Sequence, residues 1–158
     1  MELNVQKCFH VKFSRKHVVA ESNYYLNGTL IKEVNSIKDL GVIFDKKLTF
    51  DDHIQYITEK ASKMLGFIMR NGKEFRNLQT KRLLYNAFVL STLEYCAVAW
   101  RPHYACQSLR LERIQKRYLW HLAYSVGKRS KDSYESKLNY FKYISGKTWN
   151  YKRPYLFV

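Results

Sequence analysis

Leu40-Gly41-Val42-Ile43-Phe44-Asp45-Lys46-Lys47-Leu48-Thr49-Phe50-Asp51-Asp52-His53-Ile54 is the stretch where the chain changes period. To its left, apolar residues come in short runs and alternations. To its right they recur every three to four positions. Leu40 to Phe44 is apolar and bounded by Lys38-Asp39 and Asp45-Lys46, which predicts a short buried strand. Gly41 within it implies close approach of another backbone or a ligand. Asp51 or Asp52 predicts a helix cap, because a short carboxylate accepts hydrogen bonds from the first free N–H groups. Ile54, Ile57, Ala61, Leu65 and Ile68 then share one helical face. Asn71-Gly72 supplies the stop.

Working outward, Phe9, Val11 and Phe13 alternate with His10 and Lys12, the pattern of a half-buried strand. Asn27-Gly28, between Tyr24-Tyr25-Leu26 and Thr29-Leu30-Ile31, predicts a hairpin, since a type I′ turn needs positive φ at both central residues. On the other side, a second helix is expected from about Leu78 to Val98. Leu84, Ala87, Phe88, Ser91 and Tyr95 lie along its stripe, and Trp100-Arg101-Pro102 stops it. A third is expected from about Gln107 to Tyr124, with Leu111, Ile114, Tyr118 and Leu122 inward and Arg110, Arg113, Lys116 and Arg117 outward. Gly127 breaks that pattern. Tyr134, Leu138 and Phe141 allow one short helix beyond it. The expected fold class is α+β, a small antiparallel β part with a hairpin followed by a bundle of three to four helices. The units are residues 1–50, 51–125 and a basic aromatic tail, 126–158. The β part has little of its own to pack on, as in a piece of a larger protein.

The charge bounds the partners. Lys and Arg number 28 against 13 Asp and Glu, a net charge of +15. Residues 105–158 hold 12 basic and 3 acidic side chains, so the last third is the most basic. Such a surface attracts polyanions, nucleic acid first among them. The 13 Tyr favour nucleic acid over anionic membrane, because rings stack on bases. The plainer alternative is that Tyr packs the core and Lys solvates the surface. Cys8, Cys96 and Cys106 include no C-x-x-C, and the five His show no ligand spacing, so neither a disulfide framework nor structural zinc is expected. No apolar leader follows Met1. Ala87 to Trp100, the most apolar stretch, is too short to span a bilayer and is interrupted by Glu94. The expected setting is nucleus or cytoplasm, with no membrane partner.

Several blocks, in order, carry a family likeness. Leu3-Asn4-Val5-Gln6-Lys7-Cys8, followed by Val11-Lys12-Phe13-Ser14, is similar to the L-N-x-x-K segment that follows the catalytic Asp-Asp box of non-LTR retrotransposon reverse transcriptases, the jockey-like group especially. Ile37 to Phe50 resembles that family's K-x-L-G-V-x-x-D-x-x-L-x-F block, and His53-Ile54 its H-I. Lys60-Ala61, Leu65-Gly66-Phe67-Ile68 and Leu84-Tyr85 resemble its next positions. Leu93-Glu94-Tyr95 with Trp100, and Leu111-Glu112 with Gln115 and Arg117, resemble its last ones. The likeness covers about residues 1–125 and fades before Gly146.

The resemblance implies a fragment of an RNA-directed DNA polymerase: the palm after its catalytic strands, the primer grip and the thumb. It makes Lys7 a candidate leaving-group lysine, since a cation there neutralises charge on departing pyrophosphate. It makes Lys38, Leu40, Gly41 and Val42 the primer grip, with Gly41 letting backbone approach the primer. Thumb contacts fall to phosphates, so Lys46, Lys47, Lys60, Lys63, Arg70, Lys73, Arg76, Lys81, Arg82, Arg113, Lys116 and Arg117 become candidate nucleic-acid contacts. The partners implied are RNA and DNA as a primer–template hybrid, together with upstream palm and fingers that this chain does not carry. Family chemistry uses Mg2+ held by carboxylates. The one Asp-Asp, Asp51-Asp52, stands at a helix start rather than in that box, so no metal ligands and no cofactor are expected in this chain. The alternative is a stand-alone basic module that binds nucleic acid without catalysis. A basic structural protein with no polyanion partner is the third reading.

Overall fold

A computed structural model describes residues 4–14, 23–72, 74–75, 77–125 and Ser136. The strand-to-helix change of period is where the sequence places it, and the fold is α+β.

Among the described residues the β part is three two-stranded pairs. After a 3-10 turn at Val5–Lys7, β1 (Phe9–His10) pairs with β4 (Lys32–Glu33). This pairing is parallel, contrary to the expected antiparallel arrangement. β2 (Tyr25–Leu26) and β3 (Thr29–Leu30) form the expected hairpin, with Asn27 at φ +49° and Gly28 at φ +75°. β5 (Ser36–Asp39) and β6 (Val42–Asp45) form a second one. Here the expectation needs correcting. Leu40 and Gly41 do not lie within a strand but form its two-residue turn, at φ +44° and +87°. Asp39 pairs directly with Val42, so the chain must reverse in two residues, and both must adopt the positive φ of a type I′ turn.

Around β1, Phe9 and Phe13 are exposed, while His10, Val11 and Lys12 are partly covered. Electrostatics outweighs the alternation. Glu33 gathers Lys46 at 2.7 Å, Lys12 at 3.0 Å and His10 at 3.6 Å, and the bonds from Lys46 and Lys12 hold its carboxyl down at about 2.

α1 runs Asp51–Asn71 and ends at Gly72 as read. Its cap differs. Phe50 holds that position at φ +57° with no side-chain cap bond, and Asp51 and Asp52 lie inside the first turn, where a negative charge favours the helix dipole. The loop is tied instead by Asp45. Its carboxylate accepts the N–H groups of Lys47 (3.2 Å), Thr49 (3.0 Å) and Phe50 (2.7 Å), and the Thr49 hydroxyl (3.1 Å). Burial pushes the Asp45 pKa up, but the amide bonds outweigh it and leave it lowered.

The middle helix departs most from its expected stripe. It comprises α2 (Leu78–Leu84), a π stretch (Tyr85–Leu90) and α3 (Ser91–Glu94). A turn at Tyr95-Cys96, with Cys96 at φ +53°, leads to α4 (Ala97–Trp100). Lys81, Tyr85, Val89 and Leu93 face inward, while Ala87, Phe88, Ser91 and Tyr95 are exposed. A spacing of four overshoots an α turn by about 40° each time. The wider π turn winds that drift back, so residues four apart stay on one face.

α5 (Ala105–Ser125) buries Leu111, Ile114, Tyr118 and Leu122 as read, along with Gln107, Leu119 and Ala123. The core lies between α1, α5 and the middle helix, with Trp100 1% exposed and Tyr85 stacked on Tyr118 at 3.7 Å. Among the described residues from β1 to β6, only Val42 is fully buried. The tail and its expected short helix lie outside the described residues, apart from Ser136.

Candidate nucleic-acid interface

The β5–β6 hairpin is carried to the helices by a chain of contacts that begins inside the strand. The Ile43 N–H donates to His53 Nδ1 at 3.3 Å, so this imidazole keeps a lone pair there and is neutral. Burial lowers its pKa, and the nearby Lys38 charge lowers it further. The His53 ring stands edge-on to Trp100, with centroids 5.2 Å apart. Trp100 Nε1 donates to the Tyr95 carbonyl at 2.7 Å, and the Tyr95 hydroxyl donates to the Leu40 carbonyl at 2.9 Å. A Cβ on Gly41 would lie 3.2 Å from the Tyr95 ring. The close approach that Gly41 signals is therefore to this ring. Gln107, itself buried, adds a bond to the Thr49 carbonyl at 3.0 Å.

Clamping leaves the tip outward. Leu40 is 82% exposed. A left-handed conformation costs an ordinary side chain about 1–2 kcal/mol, and leucine has no polar group to relieve it. Val42, beside it, is buried against the helices. Lys38 Nζ reaches the Tyr56 hydroxyl at 3.1 Å and sits 4.4 Å from the ring centroid. That bond first, then the Lys38 and Lys60 charges, lowers the Tyr56 pKa.

The candidate cations fall into distinct groups. Tyr56, Lys60, Lys63, Phe67 and Arg70 follow a spacing of four and three and form one exposed stripe on α1. Lys63 also lines a groove of about 500 Å3 between α1 and α5, together with Arg110, Arg113 and Arg117. Glu59 is the one carboxylate in this lining, and the Gln55 amide bonds it at 3.1 Å. Arg110 is neutralised by Asp51 at 3.0 Å. Among the described residues, Lys60, Lys63, Arg113 and Arg117 have no ion-pair partner. Like charges left together repel, and a bound polyanion relieves that repulsion.

Other candidates are engaged elsewhere. Lys46 is held by Glu33 and Lys116 by Glu112, at 3.5 Å. Lys81 is buried on the inner face of α2, only 7% exposed, and its charge acts on His121. As an outward contact it is corrected, because its place one turn before Leu84 and Tyr85 puts it on the side of α2 that faces the core. Arg82 places its charge on the buried Tyr118 phenol, whose pKa is pushed up by burial. Lys47 is exposed beside the hairpin, and Lys7 is exposed on the 3-10 turn. No described bond or ion pair joins the Lys7 side chain to the hairpin. Lys73 and Arg76 lie outside the described residues.

The one Asp-Asp pair is not arranged as a metal site. Asp51 and Asp52 are neighbours on a helix, so they project in different directions, and Asp51 is committed to Arg110. They do not fit a two-metal site. Among the described residues, no three His, Cys, Asp or Glu side chains come together to hold an ion. No described helix is long and apolar enough to cross a membrane. Sequence reading missed Tyr56, although its place four residues before Lys60 is legible. It also missed the role of Tyr95, a contact 55 residues from Leu40. No protein-family model, curated protein or solved structure matches the chain.

Proposed function

We propose that this chain is the primer-grip and thumb part of a non-LTR retrotransposon reverse transcriptase of the jockey-like group, gripping a primer–template hybrid without copying it. One observation carries the reading. The blocks that resemble the family, far apart in sequence, touch in one chain of contacts: Leu40 to Tyr95, Tyr95 to Trp100, Trp100 to His53 and His53 to Ile43. A likeness arising by chance would have no reason to select residues that meet. The exposed Leu40-Gly41 tip then acts as the grip. The unpaired cations of α1 and α5 act as phosphate contacts, positioning the duplex without reading its sequence.

Chemistry is assigned elsewhere. Nucleotidyl transfer needs carboxylates to hold its metal ions, and the carboxylates described here are engaged or isolated. In this reading a palm carrying the Asp-Asp box is the partner, and Lys7 serves the leaving group only beside it. The second reading, a stand-alone nucleic-acid-binding module, rests on the same four unpaired cations. The two part on whether the reading frame continues upstream of Met1 into an Asp-Asp box.

The test is binding of an RNA–DNA hybrid over a range of salt concentrations. Counterion release predicts a logarithmic slope of roughly 0.7–0.9 per phosphate contact. Reversing Lys63, Arg113 and Arg117 to Glu is expected to remove about three contacts from it. Binding that is absent, or indifferent to salt, rejects both nucleic-acid readings and favours a structural protein. Primer extension with Mg2+ is expected to yield no product, and clear synthesis would overturn the assignment of chemistry elsewhere.

A further inference from the structure

Across the α1 ridge from the basic groove lies a second groove, of about 510 Å3, within the size range of ligand sites. Phe67, Phe75 and Phe88 stand in its walls, 56%, 45% and 49% exposed. Lys60, Lys63 and Asn71 are its polar lining, and the rest is apolar. Exposed apolar side chains scattered singly are ordinary. Three half-exposed rings converging on one groove mark a binding surface. Lys63 belongs to both grooves, so an aromatic trough and an arginine-lined trough share one cation at their common ridge.

We infer that the aromatic groove takes the bases of a single-stranded polynucleotide, whose phosphates cross Lys60 and Lys63 into the Arg113–Arg117 groove. A nucleotide presents an apolar ring face and a negative phosphate within one unit, and the two grooves present the complements side by side. An amphipathic helix would fill the first groove and leave Arg113 and Arg117 unanswered. A second copy of the chain would bring a further +15 onto them. A polynucleotide answers both. It must be single-stranded, because a duplex keeps its base faces stacked inside and offers phenylalanine nothing to stack on. The inference shares with the proposed function only the premise that the partner is nucleic acid.

The experiment uses the full chain with an oligothymidylate and with an RNA–DNA hybrid, against Phe67→Ala and Phe88→Ala. Both rings are half exposed, so the fold should persist, and a thermal melt checks it. Each variant is expected to lose roughly 5- to 150-fold in single-strand affinity, the value of one stacked base, while hybrid affinity stays within about twofold. Arg113→Ala should weaken both. An oligonucleotide carrying 5-iodouracil should crosslink to Phe67, Phe75 or Phe88. Unchanged single-strand affinity in both variants, or crosslinks confined to other elements, overturns the inference. So does wild-type binding to the hybrid but not to the single strand, which leaves the proposed function standing. Loss of self-association in Phe67→Ala without loss of oligonucleotide binding overturns it too, and gives the groove to a second copy. Binding to neither nucleic acid rejects the proposed function along with it.

Discussion

The strand half and the helical half of the chain are built on different terms. In the helical half, side chains far apart in sequence share one core: Ile54 and Leu65 of α1 with Leu111 of α5, and Tyr85 stacked on Tyr118. In the strand half the described strand pairs form no common sheet. Val42 is the one fully buried residue among its described strands, and ion pairs around Glu33 and backbone bonds to Asp45 take the place of a core. A three-helix core can stabilise itself by burying apolar area, whereas an isolated two-stranded pair is marginal in water. The strand half thus borrows its stability through a few named contacts, and those contacts are where the comparison can be broken.

The largest effect is expected at Trp100, which joins the two halves through His53 and Tyr95. Trp100→Ala should cost about 3–5 kcal/mol. In amide exchange, the β6 N–H groups should lose protection together with α1. If β6 stays protected while α1 opens, the strand half is independent and the comparison is wrong.

A smaller effect, of opposite sign, is expected at the hairpin tip. Leu40→Asn replaces a side chain strained at positive φ with one that tolerates it, as Asn27 does in the other hairpin. Stability should rise by up to ~1 kcal/mol, read as a higher Tm, while hybrid affinity falls. A variant that is more stable and binds equally well would remove Leu40 from the grip.

The smallest effect is read by pH. Burial lowers the pKa of His53 and of His121, with Lys38 and Lys81 adding to it. The folded state therefore binds fewer protons than the unfolded chain, whose imidazoles titrate near 6.5. Stability is full above that value and is lost as pH falls through and below it. Glu33, held at about 2, keeps its charge through this window, so it adds nothing to the fall between pH 7 and 5. His53→Gln should flatten it. A melting curve series with the same slope in that variant would show that His53 does not set this joint.

These contrasts also explain what was legible beforehand. α1 and α5 could be read because each buries one face of a regular helix, and 3.6-residue spacing encodes that directly. The Asn27-Gly28 turn could be read because its backbone conformation selects its residues. Leu40-Gly41 could not, because leucine is the wrong residue for a turn, and a reader assigns it to a strand. The inward stripe of the middle helix was misread because a π turn shifts the face without leaving a recognisable residue type. Of the interface, the cations were visible but not their pairing. Lys46 and Lys63 are alike in sequence, and only the fold gives a carboxylate to the first.

The π stretch has a consequence in genetic terms. Inward residues at 81, 85, 89 and 93 are spaced four, four and four. Removing one codon between Tyr85 and Val89 would make that spacing four, three and four, which an ordinary α-helix meets without a bulge. The chain therefore carries one residue more than the span requires, within the outward-facing Asn86, Ala87 and Phe88. An in-frame loss of Ala87 is the length change this helix should tolerate best, and it would leave a straighter rod behind.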